Sequence, residues 1–184
     1  MRIIVLCTIS FLCIFFFDFF QMNHRKNLAK VFSIIGYGGI FSSILILILT
    51  FNIKSTLTYL IYIKVALAVL FFILIIYSNF VEIGIKSPYS RNKRSAYTRG
   101  TYSIVRHPGF LWFLFLMILV ILIYKNRELT VIAISMVGMN LALILIEDIF
   151  IFPKIFINYK DYKKSVPFII PGLNIIRRRI SLKG

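Results

Sequence analysis

An all-α bundle of membrane helices is the fold class this sequence predicts, and three observations predict it. Of the 184 residues, 60% are hydrophobic, and the mean hydropathy is +0.91. A water-soluble domain of this length cannot bury so large an apolar share. The apolar residues also gather into five runs of membrane-spanning length. Finally, the basic residues that bring the net charge to +16 flank those runs. In a soluble chain such a charge would point to nucleic acid. At span ends it sets orientation and meets anionic headgroups instead, so the expected partner is the lipid bilayer and no nucleic acid.

The first run, Ile3–Phe20, has only Arg2 before it and no small-residue cleavage site after it, so it reads as a retained helix rather than a signal peptide. The others are Val31–Ile53, Leu57–Val81, Phe110–Tyr124 and Leu129–Phe152. Each approaches the length that crosses about 30 Å of hydrocarbon. Within the second, Gly36-Tyr37-Gly38-Gly39 reads as a close helix-packing surface, because no strand precedes it to make a phosphate loop. Cys7 and Cys13 lack metal-site or redox spacing and read as small apolar residues. No metal-ligand cluster is present in the sequence, and no repeat or linker divides it. We expect one membrane domain over 1–184, with 1–81 as scaffold and 82–184 carrying the site.

The connections alternate in charge. Arg25, Lys26 and Lys30 follow the first run, and Lys86, Arg91, Lys93, Arg94, Arg99 and Arg106 follow the third. Lys154, Lys160, Lys163, Lys164, Arg177, Arg178, Arg179 and Lys183 follow the fifth. Only Lys54, Lys125 and Arg127 lie on the other side with Arg2. The positive-inside rule puts the N-terminus outside and the C-terminus in the cytosol. The small size and lack of long extensions favour a bacterial plasma membrane.

The last two runs are joined by Lys125-Asn126-Arg127-Glu128, which forces an antiparallel hairpin. Counting away from that link at the helical rise, Pro108 lies about 24 Å out and Glu147 about 27 Å. Arg106, His107 and the Glu147-Asp148 pair therefore meet near the cytosolic face. Pro108 suits a first helical position. Adjacent on a helix, Glu147 and Asp148 point about 100° apart, so one faces the site and the other the cytosol or a basic loop. The plainer alternative for the acids is an ion pair of Glu147 with Arg106 or Arg99. Lys64 and Asp18 receive no role.

Beyond the fifth run, Pro153–Lys164 reads as an amphipathic helix in the headgroup layer, with Tyr159 and Tyr162 on one face. Val166–Gly172 then runs extended between prolines, either covering the site or resting on the bilayer.

The order of these parts resembles a known family. Gly100-x-Tyr102-x-x-x-Arg106-His107-Pro108 before a hydrophobic hairpin, an acidic pair at its return, then Tyr159-x-x-Tyr162-Lys163-Lys164-x-Val166-Pro167, is similar to the isoprenylcysteine carboxyl methyltransferases and related phospholipid methyltransferases. The likeness covers about residues 95–172. Departures are Phe110 and Trp112 where relatives carry tyrosine and a small residue, Asp148 in place of a second glutamate, and Ser165 in place of a base.

The resemblance implies methyl transfer from S-adenosylmethionine at the cytosolic face, to a lipid-soluble or lipid-attached acceptor bearing a carboxyl, thiol, amine or hydroxyl. It implies a cofactor pocket of Tyr102, Arg106, His107, Pro108, Glu147, Tyr159 and Tyr162, with His107, Arg106 and Glu147 closest to the chemistry. Arg106 would fork the cofactor carboxylate, and Glu147 would neutralise its ammonium. His107 would hydrogen-bond the cofactor or accept a substrate proton. Rival readings are a non-catalytic binding or assembly partner of the same fold, supported by Trp112, and a small transporter. A transporter would place its acids nearer the midplane. A sterol-type reductase would need a longer chain and a dinucleotide fingerprint.

Overall fold

A computed structural model describes residues 2–51, 59–83 and 95–171. Lys54, Lys86, Arg91, Lys93, Arg94, the Arg177–Arg179 cluster, Lys183 and Gly172, all used in the sequence reading, lie outside the described residues.

All five apolar runs are helical: α1 (Arg2–Met22), α2 (Lys26–Thr50), α3 (Tyr59–Ile76), α4 (Pro108–Tyr124) and α5 (Arg127–Ile146). Two short helices follow, α6 (Phe152–Ile155) and α7 (Tyr159–Ser165). α1, α2, α3 with its continuation to Glu82, and α5 with its continuation to Ile155 are each long and apolar enough to cross a membrane. α4 has 17 residues, about 25 Å of helix, the short end of the spanning range. The chain is an integral membrane protein. Its outward faces are correspondingly apolar: Leu49 is 75% exposed and Ile134 61%, which lipid tolerates and water does not.

α1 packs closely on α2 and also on α5, while α4 packs between α3 and α5. A Cβ on Gly36 would stand 2.6 Å from Ile14, and one on Gly39 would overlap the Ser10 hydroxyl. Those two glycines are what lets α1 and α2 touch. Gly38 has open space around it, so the packing surface read from the sequence is two glycines rather than three. Cys7 and Phe11 of α1, Leu47 of α2, Met117 of α4 and Leu129 and Met136 of α5 fill the core.

The α4–α5 link turns tightly. Lys125 adopts a left-handed conformation (φ 48) and its N–H donates to Ile121 O. Asn126 then caps α5, its side chain accepting from Leu129 N at 3.1 Å.

Two helices loosen into π-helical turns at the same membrane face: Tyr77–Glu82 after α3 and Glu147–Ile151 after α5. Such turns insert a residue into the helical ladder and re-aim side chains, often at functional sites. Here they carry Asn79, Glu82, Glu147 and Asp148.

Candidate functional site

The hairpin brings its two ends together as the residue count requires. Pro108 opens α4, and His107 is its N-cap residue. His107 Nδ1 lies 3.8 Å from Glu147 Oε2, and His107 Nε2 lies 3.6 Å from Asp148 Oδ1. The ring is stacked on Phe152 at 5.8 Å and met edge-on by Phe168 at 5.0 Å.

The two acids divide their tasks. Glu147 lines a cavity of about 310 Å³. Asp148 turns away from it, to the basic residues. Arg106 Nε and Nη2 donate to the two Asp148 oxygens at 2.8 and 3.2 Å. Lys163 Nζ stands 2.8 Å from Asp148 Oδ2, and the Tyr159 hydroxyl donates to Oδ1 at 2.6 Å. The ion pair considered for Glu147 is thus made by Asp148, because the π-helical turn swings that carboxylate toward α7 and the loop before α4.

Arg106 is also not the open fork expected from the sequence. Its Nη1 donates to the carbonyls of Lys163 and Val166 at 3.1 and 2.7 Å. With both Asp148 bonds counted, one Nη2 hydrogen of the five guanidinium donors is left for a ligand.

The segment after α5 differs from the headgroup helix predicted for it. It breaks at Phe156, whose backbone is extended, and restarts as α7. Tyr159 and Tyr162 face inward and are buried. The Tyr162 hydroxyl donates to Tyr102 O at 2.6 Å, and Asn158 Oδ1 accepts from Ala96 N at 2.6 Å. Burial pushes the phenols of Tyr102, Tyr159 and Tyr162 up, so they stay protonated donors. The proline-bounded stretch covers the site: Arg106 N donates to Pro167 O and His107 N to Phe168 O, at 2.9 and 3.3 Å.

Sequence reasoning missed two acids. Asp18 on α1 is buried, lines the cavity and contacts Glu147. A carboxylate inside an apolar span is costly unless it serves a site, and that was the available signal. Glu82, also buried, accepts from the backbone N–H of Thr101 at 3.0 Å and from its hydroxyl. Trp112 stacks on Phe71 of α3 at 6.1 Å and is not among the cavity's lining residues, whereas Phe110 is. The tryptophan packs toward α3 rather than into the cavity. Among the described residues, no cluster of metal ligands occurs.

Burial lowers the His107 pKa from its ordinary value, and the charges of Arg106 and Lys163 add to that against the opposing pull of Asp148. The folded site therefore holds a neutral imidazole with Nε2 unpartnered. The unfolded chain binds the extra proton first as pH falls. His107 thus leaves stability unchanged above about pH 6.5 and erodes it below. Thermal unfolding between pH 5 and 8 should show this, with a flatter profile for His107→Gln; equal slopes for the two proteins would refute it.

Fold and site together define an integral membrane helical bundle with a polar-headed cavity at one membrane face. No known family model, no curated protein and no solved structure matches the chain.

Proposed function

We propose that the protein transfers a methyl group from S-adenosylmethionine to a lipid-soluble or lipid-attached acceptor, at the cytosolic face of a bacterial plasma membrane, with its N-terminus outside and its C-terminus in the cytosol. The observation that carries this reading is the cavity. Glu147, His107, Tyr102 and Asn79 line its polar end, and Phe11, Phe41, Phe72 and Phe113 line its apolar depth. A polar cofactor and an apolar acceptor need such a continuous space. The volume sits at the lower end of the roughly 300–1,000 Å³ usual for small-molecule pockets.

The residues suit the cofactor. Glu147 supplies the negative charge for its ammonium. The remaining Arg106 Nη2 hydrogen and the Tyr102 phenol are donors for its carboxylate. Tyr97, Phe152 and Phe156 offer ring faces to the adenine and the sulfonium. When bound, S-adenosylmethionine brings an already activated methyl group. What the chain adds is alignment and dryness: the Arg106–Asp148 pair anchors the covering segment at Val166, and Phe168 closes over His107. His107, kept neutral by burial and lining the cavity, would take a proton from an acceptor that must lose one.

Titration calorimetry with S-adenosylmethionine and its demethylated product tests the reading. Micromolar uptake by the unaltered protein is expected, with at least about tenfold weaker uptake for Glu147→Gln, the loss of one charge-assisted contact. Methyl-labelled cofactor incubated with a total lipid extract should then label one lipid-soluble product. Uptake of neither compound would overturn methyl transfer and leave the non-catalytic reading.

A further inference from the structure

The walls of the cavity differ in kind. α1 meets α2 through backbone contact, but the backbones of α2 and α3 hardly approach each other. Rings span that gap instead: Tyr37 against Phe80 at 5.2 Å and Phe41 against Phe72 at 5.8 Å. All four rings line the cavity. The apolar depth is therefore separated from the lipid by side chains that can rotate, a lateral path for an acyl or isoprenoid tail.

At the polar end of that path stand two acids. Asp18 is 5% exposed, its Oδ2 has no hydrogen-bond partner, and it touches Glu147. Touching carboxyl groups in a low-dielectric cavity share a proton or take up a counter-charge. Among the described lining residues the only bases are Arg106 and His107. Arg106 is held by Asp148, and His107 is kept neutral by burial.

We infer that Asp18, beside Glu147, seats the ammonium group of a lipophilic amine whose tail lies between α2 and α3 among Tyr37, Phe41, Phe72 and Phe80. A fatty carboxylate or a phosphate-bearing headgroup is disfavoured, since either would bring a negative charge to two acids, and the one remaining Arg106 hydrogen serves the cofactor carboxylate in the methyl-transfer reading. With Glu147 meeting the cofactor ammonium, an alcohol would bring Asp18 a hydrogen bond but no charge. The inference deepens the methyl-transfer reading by naming the acceptor, and rests on it for that role; the binding itself does not. For transfer, the ammonium first gives a proton to neutral His107, and the freed nitrogen lone pair forms the N–C bond as the methyl–sulfur bond breaks.

The test is calorimetry on the full chain in nanodiscs, with octylamine, octanol and octanoate as probes and S-adenosylmethionine titrated in parallel. Octylamine should bind at least about tenfold more tightly than octanol, and octanoate should not bind. Asp18→Asn should bring octylamine to the level of octanol. Equal affinity for amine and alcohol, or an unaltered octylamine affinity in Asp18→Asn, overturns the inference. Should Asp18→Asn fail to fold, the amine–alcohol comparison on the unaltered protein decides alone. Octylamine uptake without S-adenosylmethionine uptake supports the ammonium site and removes the methyl-transfer reading; the reverse pattern removes the ammonium site only.

Discussion

Arg106→Ala is expected to destabilise the detergent-solubilised protein by about 3–5 kcal/mol, the range for removing one partner of a buried ion pair. The guanidinium ties three pieces of chain: the loop before α4 that carries it, Asp148 in the π-helical turn after α5, and the carbonyls of Lys163 and Val166 at the end of α7. The paired side chains are 8% and 6% exposed, so solvent screens little of the interaction. Lys163 stays 2.8 Å from Asp148 and holds the loss toward the lower end of that range. Arg106→Lys keeps the charge, but one ammonium cannot reach two carboxylate oxygens and two carbonyls together; its loss should be about half. Thermal unfolding measures both variants. Trypsin should also cut after Lys163 and Lys164 sooner in each, as the covering segment comes free. In Arg106→Ala/Asp148→Ala the unpaired charge is gone, and part of the stability should return. A midpoint unchanged in Arg106→Ala would show that the pair is incidental to the docking of α7.

The fate of Arg106 also shows what the sequence could and could not say. The spans were legible because a run of apolar residues has one physical outcome in this composition, and the meeting of His107 with Glu147 was legible because both helices start from one short link. The division of labour between Glu147 and Asp148 was half legible. Adjacency on a helix dictates divergence, so one acid inside and one toward a basic loop was foreseeable. Which acid went where depended on a π-helical turn that no local pattern announces. The inward face of α7 came from the resemblance, which placed Tyr159 and Tyr162 in the pocket, and not from the local pattern, for a related reason. Tyr159 and Tyr162 three residues apart define a face, but not what covers it. That is set by Asp148, in the π-helical turn after α5, and by the Tyr102 carbonyl, distant in sequence. Asp18 is the extreme case, since its partner Glu147 lies in the π-helical turn after α5, far along the chain.

The glycine that begins the Gly100-x-Tyr102 pattern leads to the second large effect. Gly100→Ala is expected to cost about 3 kcal/mol. Gly100 has φ +58, a left-handed conformation that costs an alanine about 1–2 kcal/mol. A Cβ there would also overlap the carboxylate of Glu82. Glu82 is 1% exposed and holds the Thr101 backbone N–H and hydroxyl; displacing it strands a buried acceptor, which costs about 1–3 kcal/mol. The chain following Thr101 presents the Tyr102 carbonyl to Tyr162, so the disturbance runs into the cavity mouth, and ligand uptake should weaken along with stability. The two contributions separate in a Glu82→Ala background. There the overlap is absent, and adding Gly100→Ala should cost only the backbone share, about 1–2 kcal/mol. A full 3 kcal/mol loss in that background would mean that the glycine answers to its own conformation alone and that Glu82 does not set it.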